Sequence, residues 1–392
     1  MHSTNNEQTN TQTSNETNTL NNVYVVDEDY KNKLQLYHYK TCDNDSPLDL
    51  KEYRGIVKSG DLIVSKSFGY IDELTVDINL NENSKILKSV HSFNQTKIYP
   101  MYEGTVLRMF YWKHKWFLST HKKLNAFDSR WGNSNCMTFG EMFIQSFYNR
   151  NNNPNLTTEE LWTVFDNFCF QLDVTKTYVF LLLHDENTYM VCNNNNILNE
   201  YNSNCFHIGE FDNKTHMLIE GNTSGLPSLP TLSFNTVFDL IEAVRNIDHL
   251  THPGVILYFP NQTQLRLYNR SYKKALELRG NQPDLLFRYL ELRKDRELSN
   301  EFLELYKNEE QYLIGSELTI LDVSKSIFQA YMNRHINKRY VYLPKCEHVV
   351  LQLCHKWHKE NRDNNKMSLV KVLDVLENLP TKMLYSIIKN HM

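Results

Sequence analysis

Residues 101–120 read MYEGTVLRMFYWKHKWFLST. Two apolar runs, Val106–Tyr111 and Trp116–Thr120, are separated in this stretch by a short basic segment. Short runs that are rich in Val, Ile, Tyr and Phe and bounded by polar turns are typical of β-strands. The stretch therefore predicts a β-hairpin, and it favours a β-rich fold around that hairpin.

The same pattern extends from residue 53 to about residue 272. Further strands are predicted at these segments: Gly55–Val57, Leu62–Ser65, Tyr178–Leu183, Tyr189–Cys192 and Val255–Phe259. Two helical patterns interrupt the strands. Thr158–Phe170 has a Thr cap with Glu in its first turn, and Thr236–Arg245 has one apolar face.

Beyond Pro283 the chain changes to amphipathic segments with a period of 3.6 residues. They are Leu285–Arg293, Ser299–Tyr306, Val323–Asn333, Val349–Glu360 and Leu369–Leu376. The sequence thus predicts three parts: a disordered Asn/Thr-rich tail at residues 1–22, a β-rich domain at residues 23–282, and a helical C-terminal domain at residues 283–392.

Composition indicates an intracellular, cytoplasmic protein without a membrane partner. The formal net charge of −4 gives no global positive field, so any binding of nucleic acid depends on local basic clusters. Seven Cys at irregular spacing are expected to be reduced thiols rather than a disulfide framework. We find no apolar run of the length that a signal peptide or a membrane span needs.

A series of segments, in order along the chain, resembles the phage-type ATP-dependent RNA ligases of the lysine nucleotidyltransferase superfamily. The segments are Tyr53–Val57 with Ile63–Phe68, Met101–Thr105, Ser119–Gly132, Tyr178–Asn187, Pro253–Leu257, and Leu265–Asn269 with Tyr272. The resemblance implies an α+β fold: a nucleotidyltransferase core of antiparallel sheets that form a cleft, followed by an all-helical C-terminal domain. It also implies origin in a large DNA virus, and it leaves open whether the protein is associated with the virion.

In that family a lysine amine attacks the α-phosphorus of ATP, and the amine must be deprotonated and aligned to do so. Met101 stands at the lysine position, and a thioether offers no such amine. Glu103 and Gly104 of the same motif persist, although Glu103 is equally well explained as a carboxylate with a structural partner. The acids that contact the ribose and help to hold metal in the family are replaced by Leu181 and Pro253.

The last motif departs from the family as well. Its first lysine is replaced by Arg266, which keeps the positive charge, and its second by Tyr268, which does not. The resemblance therefore predicts a degenerate nucleotide pocket without a competent catalytic residue. No cofactor is expected, and ATP with Mg²⁺ would be relevant only to residual activity.

The leading prediction is a catalytically inactive RNA ligase-like protein that retains the scaffold for RNA binding or for an assembly or structural role. The alternative is an ATP-dependent RNA ligase with a lysyl-AMP intermediate, either a Lys-to-Met variant or an enzyme with a displaced lysine, of which Lys97 is the nearest. A third reading is a structural protein without RNA affinity. Other proteins are expected to bind through the C-terminal helices.

Two basic clusters are candidate RNA contacts. The first, on the predicted hairpin, combines cations with a stacking ring: Lys113, Lys115, Trp116, Lys122 and Lys123. The competing interpretation is a solvated hairpin edge. The second is a run after the last motif: Arg266, Arg270, Lys273, Lys274 and Arg279. These residues would bind phosphate, or they form ion pairs with Glu277, Asp284 and Glu291. Arg54 is a further candidate RNA contact.

A last set of residues raises the question of zinc. Cys346, His348, Cys354 and His358 include a Cys and a His at i and i+4 on one predicted helix. The spacing fits no standard zinc finger, and Cys on an apolar helix face usually packs in the core. We therefore expect no metal site.

Overall fold

A computed structural model describes residues 22–77, 86–87, 90, 92–131, 137–147, 157–184, 191–192, 197–198, 200 and 203–392. It divides into two compact units, residues 1–274 and 275–392, whereas the sequence placed the boundary after residue 282. The predicted tail, except residue 22, lies outside the described residues. So do Tyr189, Gly132 and residues 185–187, on which parts of the predictions fall.

The first unit contains three sheets. The strands are β1 (Val23–Asp29), β2 (Leu34–Tyr39), β3 (Arg54–Ser59), β4 (Leu62–Ser65), β5 (Asp72–Val76), β6 (Lys97–Pro100), β7 (Thr105–Trp112), β8 (Lys115–Ser119), β9 (Lys176–Leu182), β10 (Cys205–Asp212), β11 (Leu218–Ile219), β12 (Gly254–Tyr258) and β13 (Gln264–Asn269). Their orders are β1-β2-β3-β4, β11-β10-β9-β7-β8 and β5-β13-β12-β6. Among the described strands, β5 and β13 pair in parallel and the other pairs are antiparallel.

Helices complete the first unit and form the second. They are α1 (Leu48–Glu52), α2 (Phe139–Gln145), α3 (Thr158–Phe170), α4 (Val237–Arg245), α5 (Arg270–Arg279), α6 (Leu285–Leu292), α7 (Arg296–Leu305), α8 (Glu310–Tyr331), α9 (Lys345–Glu360), α10 (Leu369–Glu377) and α11 (Thr381–Lys389). A π-helical turn, Met332–Ile336, continues α8. Residues 275–392 are all described and contain no strand, so the predicted α+β class with antiparallel sheets and a helical C-terminal part is confirmed.

The predicted hairpin is present, and its turn explains the basic segment. Lys113 and His114, the two residues between β7 and β8, both have positive φ, 45° and 67°. Two successive left-handed residues make the turn that matches the twist of a two-residue hairpin. The turn places Lys113 and His114 at the exposed tip and fixes the register that pairs Trp112 with Lys115.

Capping explains where α3 and α4 begin. The side chain of Thr157 accepts from the backbone N–H of Glu160, and the Glu160 carboxylate accepts from the backbone N–H of Thr157. Thr236 and Asp239 form the same reciprocal cap at α4. Each cap satisfies backbone donors that the first helical turn leaves unpaired. The helix that the sequence predicted from Thr158 is therefore confirmed at its start.

The sheet that contains β7 is buried on both faces. Alternate residues Leu107 and Met109 pack with Phe143 of α2 and Phe165 of α3, whereas Phe110 packs with the β1–β4 sheet. The sheet that contains β12 packs one face on α4, through apolar residues of β6, β12 and β13. Its other face carries polar side chains, and most of the predicted pocket residues lie there or next to it.

Candidate functional site

The residues of the predicted pocket meet on one face of the β5-β13-β12-β6 sheet. The register places Gly254 opposite Tyr268, and Ile256 opposite Arg266. The backbone N–H of Met101 donates to the carbonyl of Gly254 at 2.9 Å. Directly opposed residues of antiparallel strands share a face. Met101, Tyr268 and Arg266 therefore lie on the same side of the sheet.

Met101 is buried, with 8% of its surface exposed. Gly254 has φ +153°, and a Cβ there would lie 3.1 Å from the Met101 methyl carbon and collide with the carbonyl oxygen of Leu267. A glycine at this position therefore leaves the space that the Met101 side chain fills. The thioether behaves as a packing group at the position of the family's nucleophile.

Leu181 is enclosed in an apolar cluster on the neighbouring sheet, together with Leu183 and Phe206. A Cβ on Gly104 would lie 3.0 Å from a methyl carbon of Leu181, so these two positions are packed closely. Pro253 is also buried, and its carbonyl accepts the backbone N–H of Asn269 at 2.9 Å. Both positions where the family carries acids are thus parts of the packed interior.

Glu103 has structural partners on both carboxylate oxygens. The hydroxyl of Tyr272 donates to Oε1 at 2.7 Å, and the backbone N–H of Cys192 donates to Oε2 at 2.6 Å. Burial raises the pKa of Glu103 in spite of these donors. Burial, followed by the charge of Glu103, raises the pKa of the Tyr272 hydroxyl. The contacts fit the structural interpretation of Glu103.

The sequence analysis did not identify Glu73 of β5 as a site residue. Its carboxylate accepts hydrogen bonds from three side chains. Arg266 donates to Oε1 at 3.1 Å, the Tyr268 hydroxyl donates to the same oxygen at 3.2 Å, and Lys273 donates to Oε2 at 2.8 Å. The Lys273 ammonium also lies 3.8 Å from the centre of the Tyr268 ring. Burial opposes the ionisation of Glu73, but the hydrogen bond and charge of Lys273, with Arg266, hold its pKa below the usual value.

More cations lie beside this network. Arg54 donates to the carbonyl of Gly69 at 3.2 Å, and burial, then the charge of Arg266, lowers its pKa. Arg108 is 2% exposed and donates to Ser119 and to the carbonyl of Gly55. Its Nη2 has no hydrogen-bond partner among the described residues. We name Arg54, Arg108, Arg266 and Lys273 the cation cluster, and Glu73 is the carboxylate it contacts.

Burial lowers the pKa of His121 well below its usual value, and the charges of Arg54 and Arg108 act in the same direction. The imidazole is therefore neutral and adds no charge at neutral pH. Two guanidinium groups, those of Arg54 and Arg108, thus lie near the His121 ring. Such groups attract anions, and phosphate in particular suits guanidinium donors.

The basic run after the last motif pairs with different acids from those expected. Arg266 and Lys273 bind Glu73, and Arg270 forms an ion pair with Asp77. Lys274 is exposed. The suggested partners are engaged elsewhere: Glu291 pairs with Arg288, and Asp284 accepts from Tyr385. The predicted ion pairing of this run with Asp284 and Glu291 was wrong, because β5 and the residue after it supply nearer carboxylates.

Lys115 and Trp116 of the hairpin lie on opposite faces of β8, because adjacent strand residues face opposite sides. Lys115 lies over the Phe117 ring, with its ammonium 4.3 Å from the ring centre. Trp116 packs against Tyr178 and Tyr111. Binding of RNA by these residues stays a prediction.

The other lysines of that candidate surface are distributed around it. Lys113 donates to the carbonyl of Asn32 at 3.1 Å. Lys123 lies 3.6 Å from Asp27, and Lys122 is exposed. These contacts are typical of a solvated hairpin edge.

Lys97, the proposed displaced nucleophile, is held by Glu220 at 2.9 Å. That hydrogen bond raises the pKa of the Lys97 ammonium. The side chain lines a groove of about 370 Å³ with Tyr99 and Tyr258. Lys97 lies four positions before Met101, which corresponds to about 13 Å along an extended chain. Lys97 is thus more protonated than a free lysine and displaced from the family position.

The residues that raised the question of zinc have other surroundings. In the described part of the chain, no three His, Cys, Asp or Glu side chains come together in a way that would hold a metal ion. Cys354 is buried in the helical core, His348 Nε2 accepts from Arg334 at 2.8 Å, and His358 Nδ1 donates to the carbonyl of Asn365 at 2.6 Å. Nor does any described helix combine the length and the apolar surface needed to cross a bilayer.

Comparison with known proteins gives relatives of viral origin. No protein-family model matches the chain. It is 24% identical over 356 residues to an immediate-early protein ICP-46 homolog of Invertebrate iridescent virus 6, a match that covers 88% of this chain and 76% of the relative. It is 30% identical over 210 residues to the homolog of Invertebrate iridescent virus 3, covering 53% of this chain and 42% of that relative. The second match therefore spans less than half of the relative's length.

Solved structures with a similar fold have low sequence identity. An Aquifex aeolicus protein assigned as an ATP-dependent DNA ligase matches with a TM-score of 0.41 and 12% identity, over 88% of each chain. An archaeal ATP-dependent RNA ligase matches with a TM-score of 0.40 and 11% identity, over 77% of this chain and 70% of its own. In sequence, the chain is similar to the ICP-46 homologs of two invertebrate iridescent viruses.

Proposed function

We propose that this chain is a catalytically inactive RNA ligase-like protein that binds RNA through the cation cluster and forms no covalent adenylate. The observation that carries the proposal is Met101. It is buried on the sheet face that also bears Arg266 and Tyr268. Lysyl-AMP formation needs a deprotonated amine aligned with the α-phosphorus. Met101 has no nitrogen in its side chain.

The residues around Met101 also do not fit a metal-bound nucleotide. Mg²⁺ binds oxygen ligands, carboxylates above all. Leu181 and Pro253 offer no carboxylate at the family positions, and the oxygens of Glu103 accept from Tyr272 and from the backbone of Cys192. We therefore derive no catalytic step through ATP and Mg²⁺ at this site.

Binding of RNA is supported by the excess of positive charge. Arg266 and Lys273 of the cation cluster contact one carboxylate, Glu73, whereas Arg54 and Arg108 donate to backbone carbonyls. Guanidinium and ammonium groups form strong, charge-assisted hydrogen bonds with phosphate oxygens. The nearby tyrosine pair, Tyr268 and Tyr272, has stacked rings 5.7 Å apart.

The competing candidate is an ATP-dependent RNA ligase that uses Lys97. The ion pair with Glu220 disfavours it, because the pair raises the pKa of the amine that would have to lose its proton. A protein that carried a single Lys-to-Met change would be expected to keep the acids at positions 181 and 253 and the second lysine at position 268. This chain has Leu181, Pro253 and Tyr268.

The viral relatives suggest where the protein acts. Two of them are described as immediate-early proteins of iridescent viruses. We propose that this chain also functions inside the infected cell, in binding or assembly on RNA, and that other proteins bind its helical unit.

Label transfer tests the catalytic part of the proposal. The purified protein is incubated with Mg²⁺ and ATP labelled at the α-phosphate, and denaturing gels are examined for covalent label. We expect none for the wild type. Covalent label on the wild-type chain would refute the proposal, and its loss in Lys97→Gln would then identify the displaced lysine.

Fluorescence anisotropy with labelled single-stranded RNA tests the binding part. Replacing Arg266 and Lys273 together with Met should reduce the affinity at low salt by about tenfold or more, because each lost phosphate contact removes counter-ion release. Lys97→Met is the matched control, since Lys97 is exposed and paired with Glu220. Equal affinities for the wild type and the double variant would exclude the cation cluster as the RNA site.

A further inference from the structure

The second unit contains a basic groove to which the proposed function assigns no role. It lies where the π-helical turn Met332–Ile336 meets α9, and its volume is about 560 Å³. Among the side chains that line it are Arg334, His335, His355, Lys356, Lys359 and Glu360. We call this the imidazole groove. π-helical turns are rare, and they often occur at functional sites.

Two imidazole rings stack at the centre of the groove. The ring centres of His335 and His355 are 3.7 Å apart, with 15° between the ring planes. Nδ1 of His355 lies 3.4 Å from the hydroxyl of Tyr331, and Nε2 of His335 has no hydrogen-bond partner in the described part of the chain. The pair therefore contains a buried nitrogen without a hydrogen-bond partner among the described residues.

The surroundings of the two rings are cationic. Burial, then His355 and Arg334, lowers the pKa of His335 to about 4. Burial, then Lys359 and His358, lowers the pKa of His355. The charged and titratable groups that face the rings are Arg334, Lys338, Lys356, His358, Lys359, Glu360, Arg362 and Tyr331. Only one of them, Glu360, is a carboxylate.

These cations are not neutralised within the chain. Arg334, Lys356 and Lys359 form no ion pair with any carboxylate of the described residues, and Arg334 donates instead to His348 at 2.8 Å. The whole chain has a net charge of −4, so the concentration of positive charge at this groove is local. A local excess of unpaired cations points to an anionic ligand.

Exposed aromatic rings lie next to the groove in sequence. Tyr340 is 92% exposed and Tyr342 is 79% exposed, and both belong to the segment that connects the π-helical turn to α9. Single-stranded nucleic acid is bound by cations that contact its backbone and by rings on which its bases stack. The groove and its neighbouring tyrosines offer both kinds of contact, whereas a simple anion would need no rings.

We propose that the imidazole groove is a second binding site for single-stranded RNA, in which His335 and His355 take up protons when the phosphate backbone binds. The inference rests on the proposed function for the choice of RNA, but not on the cation cluster of the first unit. A phosphate near the rings would offset the repulsion from the surrounding cations. Binding should then favour the protonated imidazoles and tighten as the pH falls.

Charge reversal tests the site on the full-length protein. Arg334→Glu, Lys356→Glu and Lys359→Glu are combined, and binding of a fluorescein-labelled oligouridylate is measured against salt concentration. The slope of log K against log salt should decrease in magnitude by about 2, because each single-strand phosphate contact contributes about 0.7. The matched control reverses three exposed lysines of the same unit outside the groove: Lys294, Lys307 and Lys382. It should retain most of the slope.

The imidazoles are tested by pH. Wild-type affinity should rise by about threefold or more per pH unit as the pH falls from about 8 to about 6. Combined His335→Gln and His355→Gln should remove that dependence. Circular dichroism and thermal unfolding check that each variant is folded.

A groove variant with wild-type affinity and salt slope would overturn the inference, as would a pH dependence unchanged in the double glutamine variant. Loss of binding only in the Arg266 and Lys273 variant would support the proposed function and contradict the second site. Loss of RNA binding only in the groove variant would support the second site and contradict RNA binding by the cation cluster.

Discussion

The hydroxyl of Tyr272 donates a hydrogen bond of 2.7 Å to Oε1 of Glu103, across 169 positions of the chain. The bond joins the start of α5 to the loop between β6 and β7. It fixes the position of the Glu103 carboxylate, two residues after Met101.

Replacing Tyr272 with Phe removes this donor and leaves a buried carboxylate oxygen without it. We expect the free energy of unfolding to decrease by about 1 kcal/mol, the usual net worth of one hydrogen bond, because Glu103 is half-buried. Urea unfolding at neutral pH measures the change. Tyr340→Phe, at a 92% exposed position, is the control and should change little. Equal unfolding free energies of Tyr272→Phe and the wild type would mean that this hydrogen bond to Glu103 does not stabilise the fold.

Glu103→Gln should alter the pH dependence of stability in a defined direction. Burial raises the pKa of Glu103 in the folded protein. The folded state therefore binds the proton more tightly, so the contribution of Glu103 is fully present below the unfolded pKa and is lost as pH rises through the folded value. The wild type should lose stability relative to Glu103→Gln as the pH rises above about 4.3, the usual pKa of a Glu side chain. Parallel stability curves for the two proteins would contradict this.

Met101→Lys restores the family residue but should not restore the reaction. The new ammonium would occupy a site that is 8% exposed, with Leu181 and Pro253 where acids are required. We expect a loss of about 3 kcal/mol in unfolding free energy, because the charge has no counter-ion there. Met101→Leu preserves volume and should cost less than about 1.5 kcal/mol. Denaturant unfolding and label transfer are measured together, and stable labelled Met101→Lys would contradict the prediction.

Gly254→Ala should be strongly destabilising. The added methyl would meet the carbonyl oxygen of Leu267 and crowd the side chain of Met101. The control is Gly60→Ala, since Gly60 also has a positive φ, +60°, but no atom lies within 4 Å of its Cβ position. Gly60→Ala should cost about 1 kcal/mol for the backbone alone, and Gly254→Ala should exceed it by about 2 kcal/mol or more. Similar unfolding free energies for Gly254→Ala and Gly60→Ala would show that the backbone around Gly254 shifts to accommodate the added methyl group.

Periodicity predicted the regular elements well where side chains alternate clearly. Leu62–Ser65 and Thr158–Phe170 have the predicted bounds. The hairpin of β1 and β2 was missed, because its strands, VYVVDED and LQLYHY, mix charged and polar residues with the apolar ones. The pairing of β2 with β3, and the packing of Leu34 and Leu36 against Phe110 and Phe117, make them strands, and not local pattern.

The candidate site was predictable in part, for a related reason. The motifs located Met101, Arg266 and Tyr268, and the sheet register brings them together. Glu73 lies on a strand that pairs in parallel with β13 from almost 200 positions away, and no local pattern indicates such a pairing. The stack of His335 and His355 likewise depends on how two helical segments pack.

The packing of Gly104 against Leu181 limits which side chains this region of the protein accepts. A charged group introduced singly at position 101, 181 or 253 would replace a buried apolar side chain and would be costly. Tolerated substitutions at these three positions should therefore be apolar and of similar volume, and sequence variation among relatives is expected to concentrate on surfaces that this interior does not constrain.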